Sequence, residues 1–131
     1  KVFYDLEVGR ADADDERVAI VRLEQFYPFP KERLQEIFAS YKNAKQIFWT
    51  QEEPKNMGGW TFVESLLTEI KAEKTLRYVG RDASASPATG SYAIHNLEQE
   101  KIVNDSLIED SDEISAASTA EVAEKLAPAG A

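Results

Sequence analysis

The chain has 131 residues, of which 43% are hydrophobic and 30% charged, and its formal net charge is −9. These values are typical of one soluble globular domain, and the acidic balance excludes a surface built to bind the nucleic-acid backbone, which needs clustered Lys and Arg. No apolar run reaches the ~20 residues of a membrane helix, and the absence of cysteine excludes disulfide and thiolate chemistry.

The N-terminal half of the chain predicts a helix, a strand and a second helix. Residues 3–9 have the apolar spacing of a short helix. Residues 18–21 are a continuous apolar run, which is typical of a strand buried on both faces. Pro28 and Pro30 prevent that strand from continuing and prepare a helix start. Apolar residues at positions i, i+3, i+4 and i+7 then predict an amphipathic helix over residues 31–41.

The C-terminal half continues the alternation of strands and helices. Residues 47–49 predict a strand, and residues 59–72 predict an amphipathic helix. Residues 76–79 predict a third strand, which Gly80 closes by permitting a tight turn. A loop of small residues and a weaker helix pattern end the globular part, at residues 83–90 and 93–107.

This alternation predicts an α/β fold with a mostly parallel sheet between two layers of helices, which is a three-layer sandwich. Because no strand precedes the first helix, we expect the sheet to lack its first strand, as it would in a chain cut on its N-terminal side. We expect one domain over residues 1–109. Residues 110–131 form an acidic tail rich in Ala and Ser, which we expect to be disordered because it has too few apolar residues to pack a core.

Three polar loops follow the three predicted strands, at residues 22–28, 50–60 and 80–90. Ligands of open α/β sheets bind beyond the carboxyl ends of the strands, and guanidinium groups there can hold a phosphate or a carboxylate. The candidates for an effector site or an interface are Arg22, Gln51, Glu52, Arg81, Ser84 and Ser86. The alternative is that Arg22 and Arg81 form ion pairs with Glu24, Glu52 or Glu53 and only hold the loops together.

Residues that could suggest catalysis have simpler interpretations. Glu52 and Glu53 are adjacent, so in extended backbone they point in opposite directions and do not share a substrate. His95 fits a hydrogen-bonded structural histidine, and one histidine without cysteine is too few ligands for zinc. The Gly58-Gly59 pair lacks the spacing of a phosphate loop and fits a sharp turn before a helix. We therefore expect no catalytic, cofactor-binding or metal-binding residues in this chain.

Four separated motifs resemble the C-terminal domain of 2-oxoglutarate dehydrogenase. They are KVFYDL at residues 1–6, VAIVRLEQ at 18–25 with YPFP at 27–30, QEEP at 51–54 with Asn56, Gly58 and Trp60, and YVGR at 78–81 with ASASPATG at 83–90. The resemblance extends from Lys1 to about Glu109, and four motifs in the right order make it specific. Family members often carry Cys where this chain has Thr50, so no thiol role transfers. The tail extends past the usual end of the family.

The resemblance implies a transketolase-like C-terminal domain within a homodimeric enzyme of the citric acid cycle. In that enzyme thiamine diphosphate and Mg²⁺ decarboxylate 2-oxoglutarate, and the succinyl group passes to a lipoyl group on the succinyltransferase component of the complex. The family's cofactor-binding residues lie upstream in the same polypeptide, so this fragment alone is expected to be inactive. The implied location is the bacterial cytoplasm, or the mitochondrial matrix in a eukaryote.

Two other functions are compatible with these residues. The first is a module that binds an anionic effector, a nucleotide or acetyl-coenzyme A, as in some relatives, with Arg22 and Arg81 as candidates on chemical grounds alone. The second is a transketolase-fold enzyme for a different 2-oxo acid, against which the QEEP motif and the loop at residues 84–90 argue.

Overall fold

The computed structural model describes residues 1–14 and 16–107. Helices and strands alternate in this part of the chain, and none of its helices is long and apolar enough to cross a membrane. The predicted tail at residues 110–131 lies outside the described residues. The elements are α1 (Val2–Asp12), α2 (Lys31–Ser40), β1 (Gln46–Pro54), α3 (Trp60–Ile70), β2 (Thr75–Arg81) and α4 (Tyr92–Leu107).

The sheet of the described residues has two strands, β1 and β2, which pair in parallel. The register runs from Gln46 opposite Thr75 to Thr50 opposite Val79, and it is irregular before Pro54 meets Arg81. Parallel neighbours need a crossover connection, and α3 supplies it. The predicted α/β class with a parallel sheet is therefore confirmed.

The strand predicted over residues 18–21 is wrong for the described structure, because this segment has no regular secondary structure. A strand needs a neighbouring backbone to accept and donate its hydrogen bonds. Here an open groove lies between this segment and β1, so the apolar run has no partner strand. Val21 is consequently left 44% exposed.

The hydrophobic core lies on one face of α3. Trp60, Val63, Leu67 and Ile70 recur with helical spacing and are buried, and Leu34 of α2 completes the cluster. The partly buried residues that pack against it include Trp49, Leu76 and Tyr78 of the strands. The core therefore joins α2, α3 and the sheet.

Neighbouring residues of β1 contact two different helices. Trp49 packs against the core cluster of α3, whereas the Thr50 hydroxyl shares a hydrogen bond of 2.9 Å with the Ser106 hydroxyl of α4. Successive side chains of a strand point to opposite faces of the sheet. It follows that α3 and α4 contact opposite faces of β1.

Helix α1 packs on α4 through a close backbone approach and a polar contact. A Cβ atom at Gly9 would lie 3.0 Å from both Leu107 and Val103. The Gln99 amide, which is buried, donates a hydrogen bond of 2.7 Å to the Asp5 carboxylate. The carboxylate thus links the two helices.

The Asp5 contact predicts a stability that depends on pH. Hydrogen bonds from the Lys1 ammonium and the Gln99 amide hold the pKa of Asp5 below its ordinary value of 3.8. A carboxyl group whose pKa is lowered by folding stabilises the fold above its unfolded pKa, and this contribution is lost as pH falls through the lowered pKa. We expect Asp5→Asn to reduce the free energy of unfolding at pH 7, and we expect this difference from the unchanged chain to shrink as pH falls below 3.8 and through the lowered pKa. Urea unfolding at several pH values measures this difference, and a pH-independent gap would contradict it.

Candidate functional site

Two loops leave the carboxyl ends of the parallel strands side by side. These strand-end loops are residues 55–59 after β1 and residues 82–91 after β2. The Asn56 side chain joins them, because its amide donates to the Ser84 carbonyl at 2.9 Å and its oxygen accepts from the Ser84 backbone N–H at 2.9 Å. Two matched hydrogen bonds from one side chain fix the spacing of the two loops.

Gln51 is the buried centre of this region, with 5% of its surface exposed. Its side-chain oxygen accepts hydrogen bonds of 2.9 Å from the Trp49 indole N–H and from the Trp60 backbone N–H. Its amide group donates to the carbonyl oxygens of Glu53 at 3.2 Å, Pro54 at 3.1 Å and Met57 at 2.8 Å. One polar side chain therefore connects the end of β1, the following loop and the start of α3.

The start of α3 depends on Gln51 and on two glycines. The N-cap residue, Gly59, has no side chain with which to cap the helix, so the Gln51 oxygen satisfies the N–H of Trp60 in its place. Gly58 has φ +65°, which confirms the sharp turn predicted for the glycine pair. A Cβ atom at Gly59 would lie 2.8 Å from the rings of Phe26 and Trp49, so that position requires glycine for space.

Gly80 lies inside β2 and not at a turn, which corrects its predicted role. A Cβ atom there would lie 2.7 Å from the Tyr78 ring carbon Cζ and 2.9 Å from the Gln51 carbonyl oxygen. The Tyr78 hydroxyl crosses this position to donate hydrogen bonds to the carbonyls of Glu53, at 3.2 Å, and Arg81, at 2.9 Å. Burial raises the pKa of Tyr78.

Arg81 holds the loop after β2 against α4. Its Nε atom lies 3.0 Å from the Glu98 carboxylate, and its side chain is 13% exposed. The guanidinium also donates to the Pro87 carbonyl at 3.1 Å, while the Thr89 hydroxyl donates to Glu98. The predicted alternatives for its partner did not include Glu98, which lies on another element.

Ser84 and Ser86 use their hydroxyl groups within their own loop. The Ser86 N–H donates to the Ser84 hydroxyl at 3.1 Å, and the Ser86 hydroxyl donates to the Ala88 carbonyl at 2.8 Å. Both residues remain exposed or half-buried at the surface. Their hydrogen bonds shape the loop.

Arg22 and Glu52 line the groove beside β1, away from the partners of Arg81. Arg22 lies 3.1 Å from the Glu24 carboxylate, as one sequence-based alternative proposed, and both side chains are largely exposed. Its guanidinium also lies over the Phe3 ring, 5.2 Å from the centroid. Glu52 lies 4.0 Å from the amino group of Lys1. The structure therefore does not place Arg22 and Arg81 around one shared anion.

Sequence reasoning missed Asn56, Tyr78 and Glu98 as residues that organise this region. The first two stand inside recognisable motifs, but their partners are 28 and 25 residues away, at Ser84 and Glu53.

Within residues 1–14 and 16–107, no group of three or more His, Cys, Asp or Glu side chains could hold a metal ion. The polar groups of the strand-end loops mainly bind one another, which is the chemistry of a structural junction.

Comparison with known proteins identifies the family of this chain. The family model described as "2-oxoglutarate dehydrogenase C-terminal" matches residues 1–107. The chain is 55% identical over 85 residues to the 2-oxoglutarate dehydrogenase E1 component of Geobacillus sp. (strain WCH70), across 64% of this chain and 9% of that protein. It is 46% identical over 106 residues to the E1 component of Bacillus subtilis (strain 168), across 80% of this chain and 11% of that protein.

The E1 component of Azotobacter vinelandii is 45% identical over 109 residues, across 80% of this chain and 12% of that protein. The chain thus spans about a tenth of the length of these curated relatives. The family match covers all four motifs and both strand-end loops. This chain belongs to the family of 2-oxoglutarate dehydrogenase C-terminal domains.

Proposed function

We propose that this chain is the structural and regulatory C-terminal domain of a 2-oxoglutarate dehydrogenase E1 component. The family match over residues 1–107 carries the proposal. The strand-end loops support a structural role, because their polar side chains already have partners within the domain. Gln51 and Asn56 donate hydrogen bonds to neighbouring carbonyl groups, and Arg81 forms an ion pair with Glu98.

The whole enzyme, on this proposal, decarboxylates 2-oxoglutarate and transfers the succinyl group to a lipoyl group. Thiamine diphosphate would supply the electron sink for decarboxylation, held through Mg²⁺. The described residues offer no acidic cluster that fits the metal ion, so we assign both cofactors to the rest of the polypeptide. The proposed partners are that remainder, a second subunit and the lipoyl-bearing succinyltransferase. The proposed location is the bacterial cytoplasm.

We extend the proposal to the architecture of the complete domain, a transketolase-like three-layer sandwich. The contacts of Trp49 with α3 and of Thr50 with α4 support helices on both faces of the sheet. A two-stranded sheet is small for such a layer, since sheets commonly have four to six strands.

The test compares the full-length enzyme with the isolated chain. Decarboxylation of 2-oxoglutarate is followed with thiamine diphosphate, Mg²⁺ and an artificial electron acceptor. We expect turnover from the full-length enzyme, none from the isolated chain, and loss of both activity and dimer when the residues corresponding to 1–107 are deleted. Turnover by the isolated chain, or full activity of the deleted enzyme, would contradict the proposal.

A second candidate function is a site for an anionic effector, a nucleotide or acetyl-coenzyme A. The exposure of Arg22 favours it, because 47% of this side chain is accessible and its partner Glu24 is 69% exposed. Such a pair contributes little to stability, so an anion could replace Glu24 at small cost. Arg81 fits this function less well, since its guanidinium is buried against Glu98.

Calorimetric titration of acetyl-coenzyme A and AMP into the full-length enzyme distinguishes the two functions. If Arg22 holds an effector, Arg22→Ala should abolish binding without changing the thermal melt. Arg33→Ala is the matched control, because Arg33 is an exposed arginine paired with Glu36 on α2. Unchanged binding in Arg22→Ala would exclude Arg22 from any effector site.

A further inference from the structure

Arg77 of β2 carries a buried guanidinium nitrogen that has no partner among the described residues. Its Nε atom is shielded from solvent and makes no hydrogen bond there, and no carboxylate of residues 1–14 and 16–107 forms an ion pair with the group. A buried donor without an acceptor destabilises a fold, and a buried charge does so even more unless it is paired. The arginine therefore points to an anionic acceptor that comes from outside the described residues.

Arg77 lies on the face of the sheet that α4 covers. Its neighbours along β2, Leu76 and Tyr78, pack against the core cluster on the other face, and successive side chains of a strand alternate between the two faces. Arg81, four residues further along, shares the face of Arg77, and its Nε atom lies 3.0 Å from the carboxylate of Glu98 on α4. Two arginines of one strand thus face the same helix, and Arg81 has a carboxylate partner on it.

Helix α4 runs toward the end of the sheet where Arg77 lies. The helix starts at the carboxyl end of β2, and near its own end the Ser106 hydroxyl shares a hydrogen bond with Thr50, which lies opposite Val79. Arg77 is two residues before Val79, which places it about 7 Å closer to the amino end of the strand. The C-terminal end of α4 at Leu107 therefore points toward the level of Arg77.

Helical spacing identifies the residue that can meet this arginine. Four residues of strand separate Arg81 from Arg77, a distance of about 13 Å, and an α-helix covers that distance in about nine residues. Counted from Glu98, the first position at or beyond this distance on the same helical face is Glu109, since eleven residues make about three turns. A carboxylate thus stands at the position that the spacing requires.

We infer that the carboxylate of Glu109 pairs with the Arg77 guanidinium group and holds residues 108–113 against the face of the sheet that α4 covers. This segment, IEDSDE, has four acidic residues in six, so its charge complements the buried cation. Asp105 also has the spacing of this helical face, but its carboxylate is bound to Lys101 at 2.7 Å. The pair fixes the chain where it leaves α4.

Amide hydrogen exchange in the full-length protein tests this pairing. Mass spectrometry follows the peptide of residues 104–112 in the unchanged protein and in the variants Arg77→Gln and Glu109→Gln. We expect each substitution to speed its exchange at least about fivefold. The double variant should exchange no faster than either single variant, because both changes remove the same contact. Arg33→Gln is the matched control and should change nothing, since Arg33 is exposed and pairs with Glu36 on α2.

The exchange of α3, which carries the core, shows in the same experiment whether each variant is folded. If Arg77→Gln unfolds the domain, Glu109→Gln decides, because it leaves the arginine and every described contact in place. Unchanged exchange of residues 104–112 in Glu109→Gln would overturn the inference. Effects of the two substitutions that simply add in the double variant would overturn it as well, since independent contacts add.

Zero-length cross-linking identifies the partner of Arg77 directly. Arg77→Lys keeps the positive charge, and a carbodiimide joins the new amine to a carboxylate that touches it. We expect mass spectrometry of the full-length protein to find the link at Glu109. A link to other carboxylates alone, or to none, would overturn the inference.

Isotope labelling separates a pair within one polypeptide from a pair between two copies. Subunits labelled with ¹⁵N are mixed with unlabelled subunits before assembly, and the masses of the linked peptides are compared. Links within one polypeptide support the inference, whereas links only between polypeptides would make a second copy the source of the carboxylate and overturn it. Neither exchange nor cross-linking depends on catalysis, so a full-length protein inactive toward 2-oxoglutarate would refute the proposed function and leave this test intact.

Discussion

We expect Gln51→Leu to lower the free energy of unfolding by about 3–5 kcal/mol, because each buried polar group left without a partner costs roughly 1–3 kcal/mol. Leucine has nearly the size of glutamine, so the change removes hydrogen bonds without opening a large cavity. It leaves the Trp49 indole N–H and the Trp60 backbone N–H without their acceptor, and it removes the donor to three carbonyl groups. Water that reaches residues 55–59 would satisfy some of these carbonyl groups, which sets the lower end of the expected loss.

Urea unfolding followed by tryptophan fluorescence measures this loss, and both Trp49 and Trp60 report directly on the affected site. Gln25→Leu is the matched control, because Gln25 is exposed and makes a single long hydrogen bond of 3.4 Å to Pro28. We expect it to change stability by less than about 0.5 kcal/mol. If the two substitutions lowered the free energy of unfolding equally, the hydrogen bonds of the buried Gln51 would contribute no more to stability than the one exposed bond of Gln25, and the prediction would be wrong.

The prediction of the fold succeeded where a segment carries its own periodicity. Apolar spacing predicted a helix over residues 31–41, and α2 spans Lys31–Ser40. The spacing over residues 59–72 likewise predicted α3, whose buried residues form the core. Helical periodicity is a local property of the chain, so neither element depends on what lies beside it.

The strand prediction for residues 18–21 failed because strand formation is not local. The apolar run has the composition of a buried strand, but a strand is stable only when a neighbouring backbone satisfies its N–H and C=O groups. The described residues leave a groove at that place. Thr50 and Glu53 were predicted to lie in a loop but belong to β1. The strand extends this far because Thr50 pairs with Val79 and Pro54 with Arg81, a pairing that the local pattern of residues 50–54 does not reveal.

The sequence predicted where in the fold the site lies, but not which residues contact one another there. Loops after parallel strands must meet at one sheet edge, and the Asn56–Ser84 pair is such a meeting. The burial of Gln51 gave no sequence signal, because a glutamine in a polar motif is normally exposed. Nor did the sequence indicate that Arg81 pairs with Glu98, since Glu98 lies 17 residues further along the chain, beyond the loop and inside α4.

We expect Gly80→Ala to lower the free energy of unfolding by about 3 kcal/mol, at the upper end of the usual cost of overpacking a filled site. The added methyl group would lie 2.7 Å from Tyr78 Cζ and 2.9 Å from the Gln51 carbonyl oxygen. The carbonyl belongs to β1 and cannot move without breaking the parallel pairing. The Tyr78 ring cannot move without losing its hydrogen bonds to Glu53 and Arg81.

Gly90→Ala is the control for this substitution, because a Cβ atom at Gly90 would meet nothing within 4 Å. Replacing glycine by alanine at a compatible position stabilises a protein by about 0.4–1 kcal/mol, since the unfolded chain loses conformational freedom. The two alanine variants should therefore shift the urea midpoint in opposite directions. If Gly80→Ala unfolded at the same urea concentration as the unchanged chain, the close approach of Tyr78 and Gln51 to this position would be wrong, and with it the packing that joins β1 to β2 at their carboxyl ends.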